Sequence, residues 1–322
     1  MKTIMITGAN EGLGKESARQ LAAHNSVEII YLACRNAEKA QKAQAELETS
    51  TGRSIFKIVI MDVSNPDSVR KAVADLPEAL EGLIMNAGGM GGREPSAMSQ
   101  YGVTNIYAQN ILGHSVLVNE LLNANKLTDT AVFVGTEASR GVAIMNMKRP
   151  VLKTASEEEF LSIANGSYFK AGELDPMVTY GPVKLLGNLW MSALAREYPA
   201  IRFVTVSPGG TAGTGAANDM KPVMRFLFKY IIMDFMKLLG QMHSLETGAK
   251  RYVDVLLNSK FQSGKFYASK KSGMTGELVD QGAVFDLISN EKAQDNAYSV
   301  VQNLAEATDK HSAGAREKVT SV

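Results

Sequence analysis

Short runs of apolar residues alternate along this chain with longer segments whose apolar positions recur every three or four residues. The short runs predict buried strands at 3–8 (TIMITG), 27–35 (VEIIYLACR), 56–63 (FKIVIMDV), 80–89 (LEGLIMNAGG), 130–139 (TAVFVGTEAS) and 201–210 (IRFVTVSPGG). The longer segments predict helices at 12–24, 36–49, 65–76, 99–123 and 180–198. Asn36 and Asn65 stand where helix caps belong, and Pro66 suits a first helical position. Strands that are apolar throughout and alternate with helices are buried on both faces, which calls for parallel pairing through crossover helices. The pattern therefore predicts an α/β fold: a doubly wound parallel sheet with helices on both faces, binding its ligand beyond the strand carboxyl ends. One domain is expected over 1–310, with segments at 140–178 and 211–245 inserted on the substrate side. The residues 311–322 read as a flexible tail.

Composition narrows the function classes. The 322 residues are 45% hydrophobic and 21% charged, with a net charge of +1, so no basic field points to nucleic acid. The single cysteine, Cys34, rules out an internal disulfide framework and suits a reducing compartment. The four histidines are scattered, without the spacing of zinc ligands. The stretch MKTIMITGAN lacks the apolar core and cleavage site of a signal peptide, so a cytoplasmic location is expected.

The first strand runs into Thr7-Gly8-Ala9-Asn10-Glu11-Gly12-Leu13-Gly14, which opens a helix. Glycines there let the backbone turn sharply and approach a ligand, and the helix N-terminus offers N–H groups to a pyrophosphate. In that strand–turn–helix context the stretch predicts a Rossmann-type dinucleotide site, with Thr7, Gly8, Asn10, Glu11, Gly12, Leu13 and Gly14 as cofactor-binding candidates. The second strand ends in Arg35, followed by Asn36 and Lys39. An acidic residue at this place would bind a ribose hydroxyl, whereas Arg accommodates a 2′-phosphate, so NADP(H) is the expected cofactor. Glu11 argues mildly the other way, since its charge would lie near phosphates. Asp62 and Val63 end the third strand, where they suit the adenine. Asn86, Ala87 and Gly88 end the fourth, where they suit a ribose.

TGxxxGxG, then NAG, then Tyr180-Gly-Pro-Val-Lys184 in that order resembles the short-chain dehydrogenase/reductase superfamily over nearly the whole chain. The resemblance implies Tyr180 as the acid/base and Lys184 as its partner. A free phenol has a pKa of about 10, and a nearby ammonium lowers it toward neutrality. Pro182 is expected in the first helical turn, where it is tolerated. The superfamily also implies a hydroxyl at the end of strand five, for which Thr136 and Ser139 compete. It further implies an Asn on the long helix, matched by Asn110, which would place a water in a relay to Lys184. Pro208, Gly209 and Gly210 match its turn after strand six. The contact to the nicotinamide amide then falls to Thr211, Thr214 or the backbone after Gly209.

The segments PGGTAGT, LETGAKR and SGKFYAS resemble those of light-dependent protochlorophyllide oxidoreductases, and ACR and NxLGH are shared with retinol dehydrogenase-like enzymes. Gly210 stands where the light-dependent group has cysteine, so a dark reaction is expected. The Met- and Phe-rich stretch 215–240 predicts a bulky apolar carbonyl or alcohol as the substrate. Lys221, Arg225 and Lys229 share one face there, which leaves peripheral membrane contact as a minor reading. The alternatives are a light-dependent protochlorophyllide reductase-like enzyme and a non-catalytic NADP(H)-sensing protein. Pairing into a homo-oligomer stays open.

Overall fold

The computed structural model describes residues 1–92, 94–170, 175–212, 240, 242–270 and 273–320. In chain order come β1 (Thr3–Thr7), α1 (Gly12–Leu21), β2 (Ile29–Cys34), α2 (Ala37–Thr51), β3 (Phe56–Ile60), α3 (Pro66–Ala74) and β4 (Leu80–Met85). A helical stretch follows in three parts: Asn105–Tyr107, a π-helical turn Ala108–Leu112, and α4 (Gly113–Asn123). Then come β5 (Leu127–Val134), α5 (Glu157–Asn165), α6 (Pro176–Glu197), β6 (Arg202–Val206), α7 (Leu245–Leu257), β7 (Phe266–Ser269), β8 (Leu278–Asp280) and α8 (Glu291–Thr320).

The strands form one sheet in the order β3-β2-β1-β4-β5-β6-β7-β8. Only the last pairing, β7 with β8, is antiparallel. Core clusters cover both faces, as uniformly apolar strands require. Chain order reverses between β1 and β4, so their carboxyl ends flank a crevice, the usual ligand position in such sheets.

Several boundaries differ from the sequence expectation. The strands expected to reach 63, 89, 139 and 210 stop at Ile60, Met85, Val134 and Val206. Asp62, Asn86, Thr136 and Pro208 therefore lie in turns beyond the sheet, on its ligand side. The helix expected from 99 starts at Asn105, because Thr104 is its cap and donates its own hydroxyl to the Ala164 carbonyl. Helix α6 starts at Pro176, capped by Asp175, rather than at Tyr180. Pro182 is consequently inside the helix, past its first turn, where it lacks the N–H of a regular helical bond.

The hydrophobic pattern predicts none of α5, α7, α8, β7 and β8, although LETGAKR opens α7 and SGKFYAS covers β7. Helix α8 continues to Thr320, through most of the segment expected to be a tail. It buries Ala293, Ala297, Val300 and Val301 in the core. Within the 140–178 insertion, helix α5 buries Phe160, Ile163 and Ala164 in the same cluster. Its approach is pinned by Glu159, which accepts from the N–H groups of Lys153, Thr154 and Ala155. Asn296 of α8 donates to the Ala155 carbonyl. Thr214, Lys221, Arg225 and Lys229 lie outside the described residues. Among those described, no helix is long and apolar enough to cross a membrane.

Candidate active site

The glycine-rich turn is shaped by its neighbours. Gly8 and Gly12 have φ of +67° and +56°, values that L side chains rarely adopt. A Cβ on Gly14 would stand 2.5 Å from the Gly8 carbonyl oxygen and 2.6 Å from Asn86 Nδ2, so only glycine fits. A Cβ on Gly12 would meet nothing within 4 Å, so the space there is open. Glu11, exposed, makes no side-chain bond to the N-terminus of α1. That leaves the first N–H groups uncapped, as an anion site needs. The residues present thus fit a dinucleotide's pyrophosphate.

The other cofactor candidates divide between the ligand side and the scaffold. Arg35 and Lys39 are exposed beyond the carboxyl end of β2. Asn36 accepts from the Lys39 N–H at 2.8 Å, so its side chain serves as a helix cap. Leu13 packs on the core. Asp62 Oδ1 accepts from the N–H and hydroxyl of Ser64. Val63 packs on the core, and its carbonyl lies where any side chain on Gly113 would be. Asn86 donates to the carbonyls of Thr7 (2.9 Å) and Gly8 (3.3 Å), and the Ala87 N–H donates to Thr7 Oγ1. Gly88 has φ of +134°, and a Cβ there would clash with Asn110 Oδ1. Asn10 is half-buried, near the Cys34 thiol, which burial pushes up to about 11.

Tyr180 and Lys184 lie one turn apart on α6. Lys184 is 2% exposed and donates to the Val134 carbonyl at the end of β5 (2.9 Å). Its Nζ stands 4.6 Å from the Phe133 ring centre and 5.8 Å from that of Tyr180. Burial pushes its pKa down to about 7. Tyr180 is half-buried, and its phenol has no hydrogen-bond partner among the described residues. The sequence predicts a phenol acidified by Lys184. Here burial, and after it the Glu137 carboxylate, push it upward instead.

Thr136 is half-buried beyond β5, and its Oγ1 accepts from the Ala138 N–H while its proton has no acceptor among the described residues. Ser139 is fully buried; it donates to the Thr136 carbonyl (2.8 Å) and accepts from Asn188 (3.0 Å). Its hydroxyl is therefore occupied. Asn110 is also bonded within the protein. Its amide donates to the carbonyls of Gly89 and Ile106, and its Oδ1 accepts from the Gly89 N–H. Its own carbonyl pairs with His114 Nδ1 (3.2 Å), while His114 Nε2 meets Thr7 Oγ1 (3.0 Å). Burial pushes His114 down to about 4, which keeps the imidazole neutral between those partners.

After β6, Gly209 has φ of +76° and the Gly210 N–H donates to the Met274 carbonyl, so that backbone donor is already used. Thr211 donates to the carbonyls of Pro208 (3.1 Å) and Gly209 (3.3 Å). Sequence reasoning missed the charged cluster beneath this turn. Glu137, 3% exposed, accepts from the Ser207 hydroxyl and from the Ser269 N–H (3.1 Å), with Arg251 Nη1 3.8 Å away. Arg140 donates to the carbonyls of Ser269, Lys270 and Gly273. The only signal in the sequence was a charged residue directly after Thr136, and nothing local says that it is buried.

A family model described as "short chain dehydrogenase" matches residues 2–146. Retinol dehydrogenase 11 of Homo sapiens is 35% identical over 209 residues, covering 64% of this chain and 59% of that protein. Protochlorophyllide reductase B, chloroplastic, of Oryza sativa subsp. japonica is 25% identical over 313 residues, covering 91% and 73%. Among solved structures, the NADPH-bound carbonyl reductase from chicken fatty liver shares the fold with a TM-score of 0.54 and 17% identity, covering 86% of this chain and 99% of that one. The match thus spans under two thirds of the retinol dehydrogenase. Fold, motif order and relatives agree in what this chain is similar to: short-chain dehydrogenases/reductases, retinol dehydrogenases and protochlorophyllide reductases among them.

Proposed function

We propose that this protein is an NADP(H)-dependent oxidoreductase acting on a carbonyl or alcohol of a bulky apolar small molecule, with Tyr180 as its acid/base. The observation that carries the reading is the placement of Tyr180: its phenol, unpartnered among the described residues, stands beside buried Lys184, on the ligand side of β5, where the Thr136 proton likewise has no acceptor among them. A bound nicotinamide supplies or accepts the hydride. Gly8, Gly12 and the uncapped α1 N-terminus hold the pyrophosphate, and Arg35 with Lys39 receives the 2′-phosphate. In reduction, the Tyr180 phenol gives its proton to the carbonyl oxygen, and the Thr136 hydroxyl donates to that oxygen and orients it. Thr136 serves here rather than Ser139, whose hydroxyl is already bonded in the core. Lys184, near half-charge at neutral pH, supports the tyrosinate left behind.

NADPH oxidation against a panel of ketones, aldehydes and quinones tests this reading. Tyr180→Phe should lower kcat by roughly 10²–10⁴-fold on any substrate found. Equal turnover by wild type and variant would remove Tyr180 from the reaction. Arg35→Ala should cost at least about tenfold in NADPH affinity while leaving NADH unaffected, since a charge-assisted hydrogen bond contributes about 1.5–3 kcal/mol. Because one relative is named a protochlorophyllide reductase, an illuminated mixture of protein, NADPH and protochlorophyllide is the control for light-driven chemistry. No product above the protein-free mixture is expected. Tight NADPH binding with no turnover on the whole panel would instead support a sensor.

A further inference from the structure

Glu137 has no part in the reaction as described, yet its placement ties it to Tyr180. It opens the turn Glu137–Arg140, directly after Thr136. Gly181 packs on that turn: a Cβ there would stand 2.7 Å from the Ala138 carbonyl oxygen. The backbone next to Tyr180 and the backbone next to Glu137 are thus in contact, with no side chain between them. Nor can the carboxylate swing away, because Ser207, the Ser269 N–H and Arg251 hold it from three sides.

The other charged and titratable groups around the pair come from four elements. Lys184 lies on α6 itself, with its Nζ committed to the Val134 carbonyl. Tyr252 reaches in from α7, fully buried and held neutral by that burial. Arg251, its neighbour, also donates to the Ser207 carbonyl, Ser269 Oγ and the Gly276 carbonyl, so its charge is spread over several acceptors. Arg140 on the Glu137 turn directs its guanidinium to backbone carbonyls around β7. His243, beside Gly209, is pushed by burial toward its neutral form.

We propose that Glu137 is a positioning residue whose immobilised carboxylate keeps Tyr180 in its proton-giving form, and so biases the site toward carbonyl reduction over alcohol oxidation. This rests on Tyr180 being the acid/base. In reduction, hydride adds to the carbonyl carbon, the C=O π pair moves to oxygen, and that oxygen takes the phenol proton, leaving tyrosinate. In oxidation, tyrosinate takes the hydroxyl proton as hydride leaves carbon. A fixed anion near the phenol disfavours tyrosinate. It keeps the first direction supplied with protons and delays the second to higher pH. Burial of Tyr180 acts the same way, and Lys184 opposes both only while it is charged.

The test compares full-length wild type, Glu137→Gln, Glu137→Asp and Tyr180→Phe. Fluorine NMR of fluorotyrosine-labelled protein follows the Tyr180 titration, its signal assigned by absence in Tyr180→Phe. The pH profile of kcat/KM is measured in both directions on the ketone/alcohol pair that the panel yields. In Glu137→Gln the Tyr180 signal and the rising, acid-side limb of the oxidation profile should both move to lower pH, by roughly one unit. Glu137→Asp should stay at the wild-type position. Should a lone buried Arg251 prevent Glu137→Gln from folding, Glu137→Gln/Arg251→Gln removes both charges and should still shift downward. A fall in rate with no movement of the titration or the limb overturns the proposal and leaves Glu137 a structural tie. Retained activity in Tyr180→Phe would sink the acid/base assignment instead, an outcome the Glu137 titration does not mimic.

Discussion

At the dinucleotide end of the cleft, Thr7, Asn86, Asn110 and His114 are joined to one another and to the backbone through neutral groups. At the β5–β7 end, a carboxylate and two guanidinium groups are buried together. The neutral set pairs its donors with nearby acceptors, and each such bond contributes about 1 kcal/mol. The charged set pays heavy desolvation, which only complete pairing offsets. The first arrangement ties the turns after β1 and β4 to the helical stretch that holds Asn110 and His114. The second places an electric field next to Tyr180, the proposed acid/base.

Arg251→Met offers the hardest blow to that contrast. It leaves Glu137 buried without its cation, and should cost about 3–5 kcal/mol in denaturant unfolding. A loss under about 1 kcal/mol would mean that the serine partners alone satisfy the carboxylate. Next comes the pH dependence of the neutral end. Burial depresses His114 to about 4 from its ordinary 6.5, so the unfolded chain binds more protons between those values. Its contribution to stability is full above about pH 6.5 and falls as pH drops toward 4, by roughly 3 kcal/mol. Unfolding series across that window should show the slope, and His114→Gln should flatten it.

Two alanine substitutions sharpen the picture of the cradle. Gly14→Ala drives a methyl into the Gly8 carbonyl and Asn86, and should cost about 1–3 kcal/mol of stability as well as NADPH affinity. Gly12→Ala meets no neighbour, so only the strain of a positive φ remains, about 1 kcal/mol. Thermal unfolding and NADPH titration of the two variants should rank them in that order.

How much was legible depended on distance along the chain. The cradle was readable because Gly8, Gly12 and Gly14 follow one strand within a few positions, and a turn made of neighbours announces itself. Tyr180 and Lys184 were readable for the same reason, as a pair one helical turn apart. Asn110 was readable as a position, but its function was not: whether its amide faces a water or the Gly89 backbone depends on a turn that lies 21 residues away. Glu137 bonds Ser207 and Ser269 across 70 and 132 residues, and no local pattern marks it as buried. Pro182 was placed in a first turn because the helix was read from Tyr180, whereas Asp175 starts it earlier.

The sequence by itself determined the alternating strands and helices, the sheet that follows from them, and the dinucleotide turn, because periodicity and glycine spacing act between near neighbours. Only the tertiary structure decided which polar groups are spent on one another and which face the cleft, and which charges sit beside Tyr180. Burial and electrostatic fields are sums over residues brought together from distant parts of the chain, and those sums exist only once the strands are side by side.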